Sequence, residues 1–141
     1  MKIALSFLAL LLSLSVASAA EPIPVPKPIF FARGSSSSTI GGHVLRGDRT
    51  LYSLKAAAGQ TLTVTLTTPD DNAVFQIYEP DTALARDADG VLEFKGKALH
   101  GAEPGEDTTR WTGHLPRGGT YLLVVGSRRG NARYSIDVKI E

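Results

Sequence analysis

The sequence has no cysteine, a single tryptophan and no methionine after the first residue. The missing cysteine excludes disulfides, thiol nucleophiles and cysteine zinc sites, so the fold rests on its apolar core alone. There is no G-x-S-x-G elbow and no phosphate-cradling glycine loop. The three histidines, His43, His100 and His114, have neither metal-ligand spacing nor a neighbouring carboxylate pattern. With no nucleophile–base pair in view, the chain reads as non-enzymatic, without cofactor or metal. No stretch keeps a helical stripe; "DTALARDAD" has room for one or two helical turns. Neither sign of charge dominates, the formal net charge being +1, which argues against a general nucleic-acid binder.

Long apolar runs are also missing, except at the start. "MKIALSFLALLLSLSVASAAEP" has one basic residue, Lys2, and an apolar run from Ile3 to Leu12 broken only by Ser6. Small-x-small triplets follow at Ala17-Ser18-Ala19 and Ser18-Ala19-Ala20. This is the layout of a signal peptide over residues 1–20, and the run is too short to span a bilayer. Cleavage is expected near Ala19/Ala20, releasing a protein into the periplasm or the medium without membrane insertion. The remaining length suits one domain.

What is present has a clear order. Prolines 22, 24, 26 and 28 make residues 21–30 an extended arm. "GSSSS" at 34–38 reads as a loop. Period-two alternation then runs through "LYSLK", "TLTVTLTT", "AVFQIYE" and "ARYSIDVKI", with turn residues between. "TYLLVVG" is apolar on both faces and is expected in the middle of a sheet, covered on each side. Residues 80–107 read as a long irregular insertion. The expectation is all-β: a single antiparallel β-sandwich of about seven or eight strands over residues 31–141.

Several motifs have ordinary structural readings. Asp87 and Asp89 resemble a fragment of a calcium loop, but the glycine comes too early and no glutamate is suitably placed to bind bidentately. Arg46-Gly47-Asp48 is ordinary turn chemistry. Trp111 is expected to pack on a sheet, with a sugar platform as the alternative. Gly59, and Gly118 or Gly119, suit a positive φ. Charge is unevenly placed: residues 70–107 hold ten acidic and three basic side chains, while residues 110–141 hold six basic and two acidic. Arg128, Arg129 and Arg133 crowd around Gly130-Asn131, a strong turn signal, so they project from a hairpin tip.

The ordered set "FFARGSSSSTIGG", "YSLKAAAGQTLTVTL", "FQIYEP" and "GHLPRGGTYLLVVGSRRGNARYSIDVKI" resembles the periplasmic inhibitors of g-type (goose-type) lysozyme. The likeness covers about Phe31 to Ile140. Its pieces "AGQ-x-L-x-V" and "LP-x-x-G-x-Y" are also similar to pre-peptidase C-terminal modules. The resemblance implies a small sandwich that plugs a lysozyme's substrate cleft with basic loops. It implies Arg129 and Arg133 as the lysozyme-binding residues and leaves Arg128 solvated. It also assigns two turn positions to the contact: Gly47 stands where the family carries an aromatic residue, and Gly118 where it carries a serine. The alternative is a non-catalytic exported module that binds glycan or an envelope protein.

Overall fold

Leucine and valine alternating with threonine give Thr61–Thr67 two unlike faces: Leu62, Val64 and Leu66 are buried, and the threonines face outward. The same arithmetic builds most of the chain. The computed structural model describes Ser15 and residues 21–141, and the described residues form ten strands and no helix. Apart from Ser15, the expected signal peptide lies outside the described residues. The strands are β1 (Lys27–Pro28), β2 (Ser37–Val44), β3 (Arg49–Ala56), β4 (Thr61–Thr67), β5 (Ala73–Tyr78), β6 (Ala83–Arg86), β7 (Leu92–Lys95), β8 (Arg110–His114), β9 (Gly119–Ser127) and β10 (Ala132–Ile140).

Two four-stranded sheets face each other, in the orders β1-β3-β9-β5 and β2-β10-β4-β8. Between them lies the main core, which includes Tyr52, Leu54, Phe75, Ile77, Tyr121 and Leu123 from one sheet and Leu62, Val64, Ile136 and Val138 from the other. All-β sandwich is thus the observed fold, and β9 sits between β3 and β5 as its composition requires. One buried polar contact crosses the core, where the hydroxyls of Tyr52 and Tyr134 lie 2.6 Å apart. Tyr134 leaves no room on the neighbouring strand, because a Cβ at Gly42 would stand 2.5 Å from its hydroxyl.

Ten strands replace the expected seven or eight, and the extra ones have physical causes. The segment expected to be irregular over 80–107 contains an antiparallel hairpin, β6–β7, with Ala83 opposite Lys95. "DTALARDAD" is strand and turn, not helix. The Asp87 carboxylate accepts the N–H groups of Asp89 (2.9 Å) and Val91 (2.8 Å), and Gly90 takes φ 80°, so the chain reverses there. The hairpin folds because β9 needs it. Leu122 and Val124 point away from the main core, beside Leu51 and Tyr78. Leu84, Leu92, Phe94 and Ala98 cover them, and the Phe94 ring stacks on Tyr78 with centroids 5.2 Å apart. The second addition is β1, two residues of the proline arm lying parallel to β3 at the sheet edge, where a missing N–H is tolerated. Arg86 ties the arm to the hairpin by donating to the carbonyls of Glu21 and Pro22, each at 3.1 Å. The serine run is shorter as a loop than expected, since Ser37 and Ser38 already belong to β2.

Two outcomes are expected. Phe94→Ala should destabilise the fold by about 2–3 kcal/mol in urea unfolding, the ring being only half-buried; a change under about 0.5 kcal/mol would show that the hairpin does not hold the outer face. The Tyr52 hydroxyl ionises well above its ordinary value, pushed up first by burial and then by its bond to Tyr134. In the unfolded chain Tyr52 loses its proton near pH 10, while the folded chain keeps it. This contribution is therefore fully present below about pH 10 and is lost as pH rises beyond it. Urea midpoints should fall above that pH, and Tyr52→Phe should flatten the fall.

Candidate functional site

Three turns meet at one end of the sandwich, fixed there by strands that start or stop together. The β2–β3 turn closes with Asp48 N–H donating to the Leu45 carbonyl at 3.0 Å, and Gly47 at its third position takes φ 80°, the geometry of a type II turn. The β4–β5 turn runs through Pro69 to Asn72. The β9–β10 tip runs from Ser127 to Asn131, with Gly130 at φ 58° and the Ser127 hydroxyl donating to the Gly130 carbonyl.

Asn72 joins them. It is 6 % exposed, in a turn otherwise open to water. Its amide Nδ2 donates to the carbonyls of Asn131 (2.9 Å) and Arg129 (3.4 Å), and its own carbonyl accepts Arg128 N–H at 2.8 Å. The Thr68 hydroxyl lies between Asn72 Oδ1 (3.0 Å) and the Arg133 carbonyl (2.7 Å), its single proton shared between them. Asn131 carries the connection onward, its Oδ1 accepting Arg46 N–H at 2.9 Å from the β2–β3 turn. A buried amide satisfied on every side fixes backbone geometry, so the three turns act as one body.

On this base stand the guanidiniums. Arg129 is exposed and donates from Nη2 to the Asp70 carbonyl at 3.0 Å. Arg133 is exposed on β10, directly opposite His43 on β2. Among the described residues neither is ion-paired, whereas Arg128, expected to be solvated, pairs with Asp107 at 3.6 Å. Arg133, His43, Leu45, Pro69 and Asp70 line an open depression of about 850 Å³. A second, of about 550 Å³, is lined by Gly47 and Asp48 and reaches the β6–β7 turn at Asp89 and Val91.

Gly47 therefore stands at the same end as Arg129 and Arg133, and a Cβ there meets nothing within 4 Å. Gly118 does not. It follows β8 and precedes β9, packed beside Ala57 and Ala58 at the far end, where β3 finishes opposite Gly119. The nine residues of β9 separate the two ends by roughly 25 Å. Gly118 has no positive φ; Gly119 does, at 145°, and a Cβ there would stand 2.8 Å from Pro80. Gly59 takes φ 83°.

The remaining candidates are engaged in structure. Trp111 packs against the core, and its Nε1 donates to the His100 carbonyl at 2.9 Å. His100 lies 3.1 Å from Glu103, whose carboxyl is held below its ordinary range by its own N–H, that of Gly101 and His100. His114 bonds Thr61 at 3.1 Å. Among the described residues no three His, Asp or Glu side chains gather as a metal site. Asn72 and Asn131 were visible in the sequence only as turn residues, because nothing in the pattern tells a buried asparagine from a solvated one. Asn72→Ala leaves the Arg129 and Asn131 carbonyls without their donor, and about 1–3 kcal/mol of stability should go with it. Amide exchange should accelerate at residues 128–131 while the core strands keep their order of protection; unaltered exchange at the tip would contradict the joint role of Asn72.

Neither a protein-family model nor a curated relative matches the sequence. Solved structures do. The crystal structure of Aeromonas hydrophila PliG, a periplasmic lysozyme inhibitor of g-type lysozyme, is 30 % identical with a TM-score of 0.63, over 82 % of this chain and 96 % of that one. Salmonella Typhimurium PliG is 19 % identical with a TM-score of 0.56, over 83 % of this chain and all (100 %) of that one. The pre-peptidase C-terminal domain of a Bacillus anthracis collagenase shares the fold at 15 % identity and a TM-score of 0.51, over 84 % of this chain and 98 % of that one.

Proposed function

The chain belongs to the family of periplasmic inhibitors of g-type lysozyme, and from that premise we propose that it is an exported protein that inhibits g-type lysozyme by filling the enzyme's substrate cleft. The signal peptide at residues 1–20 delivers it to the periplasm, cleavage falls near Ala19/Ala20, and the arm at 21–30 precedes the binding domain. It catalyses nothing itself. The observation that carries the reading is the arginine-bearing end: Arg129 and Arg133, exposed and free of carboxylate partners among the described residues, on turns locked together by Asn72.

The chemistry is complementary. Cleavage of a glycosidic bond uses carboxyl groups on either side of the scissile linkage. A guanidinium entering that cleft pairs with carboxylates bidentately and stays charged at every relevant pH. Two of them on one rigid end lose little conformational freedom on binding, and opposite charge speeds the encounter. Gly47 leaves the rim of this end open. Gly118, at the other end, takes no part in this reading.

Purified protein in micromolar excess should slow lysis of cell-wall substrate by g-type lysozyme. Arg129→Ala with Arg133→Ala should abolish this, since losing a buried charge contact costs about 2–5 kcal/mol. Gly118→Ser, which finds only ordinary contacts at 3.5 Å and beyond, should inhibit as the parent does. An inactive parent protein sinks the proposal; a fully active double variant sinks the role of the two arginines.

A further inference from the structure

We infer that Arg46 is a third guanidinium contact to the partner's acidic cleft, an inference that rests on the inhibitor reading above. The residue stands at the second position of the type II turn over Leu45–Asp48, whose outer corner points its side chains to solvent. The turn forms the ridge between the two open depressions: Leu45 lines one of them, and Gly47 and Asp48 line the other. A ridge between hollows is the part of a surface that enters a concave partner first.

The backbone at this point is not free to drift. Arg46 N–H donates to Asn131 Oδ1 at 2.9 Å, and the Asn131 carbonyl accepts from buried Asn72 at 2.9 Å. The same Asn72 amide holds the Arg129 carbonyl. The positions of Arg46 and Arg129 are therefore set by one hydrogen-bonded unit. A partner that docks on Arg129 and Arg133 meets Arg46 at a fixed offset.

Charge supports the assignment. Arg86, Arg117 and Arg128 are occupied within the fold, ion-paired at 3.4 to 3.8 Å. Arg49 lies on Gly126 and donates to the Asp48 carbonyl at 2.9 Å. Arg46, among the described residues, has no carboxylate partner, and its neighbour Leu45 is 51 % exposed. An unpaired guanidinium beside an exposed leucine, on a positioned ridge, has the make-up of an interface contact. With Gly47 offering no side chain, Arg46 and Leu45 supply what this turn presents to a partner.

The test is the affinity of the whole mature protein for g-type lysozyme, measured for Arg46→Ala, Arg46→Lys and Arg129→Ala/Arg133→Ala, with a thermal melt of each. Arg46→Ala should melt as the parent does, bind about tenfold or more weakly, and show a shallower dependence of affinity on salt. Arg46→Lys should recover part of the affinity, because charge returns without the planar fork. Arg46→Ala binding within twofold of the parent, while the double variant fails, overturns the inference and leaves the inhibitor reading standing. No binding by the parent protein overturns both.

Discussion

Strand β9 has no polar face, and the rest of the architecture answers that constraint. Tyr121, Leu123 and Val125 enter the main core, while Leu122 and Val124 point the other way. A sandwich of two sheets covers only one side of such a strand. The β6–β7 hairpin supplies the second cover, and Arg86 links it to the proline arm. In a chain without cysteine, this third layer takes on work that covalent cross-links do in many small exported domains.

The same strand is the base of the proposed binding site. β9 runs the full height of the sandwich and ends in the tip that carries Arg128 and Arg129. A strand buried on both faces is the most rigid base the fold offers for a projecting loop. The tip is then pinned by Asn72 rather than by apolar contact, since a loop at the surface has no core to pack into. Rigidity beneath and hydrogen bonding beside leave the guanidiniums exposed without leaving them loose. Cationic side chains so placed bind with less ordering cost than they would from a mobile loop.

The two-sheet core was legible because its signal is periodic. Leu62, Val64 and Leu66, or Tyr134, Ile136 and Val138, announce a buried face every second residue. The central place of "TYLLVVG" followed from its lack of a polar face. The hairpin at 83–95 was hidden because its strands are four residues each, too short for alternation to register, and its turn is closed by a carboxylate that reads equally well as loop. At the site, clustered arginines at a turn were visible, but their status was not. Arg128 looks like Arg129 in sequence, yet Asp107, far along the chain, pairs with it. The separation of Gly118 from Gly47 was equally invisible, because it depends on strand order and not on the turns themselves. Asn72 draws its importance from burial, which one polar residue in a turn cannot signal.

Which end of the sandwich meets the enzyme is the point on which the account stands. Amide hydrogen exchange of the mature protein, alone and saturated with g-type lysozyme, answers it residue by residue. Protection confined to residues 45–48, 69–72 and 127–133, with residues 115–119 unchanged, is the result predicted. Protection at residues 115–119, with the arginine-bearing turns exchanging as in the free protein, would contradict it.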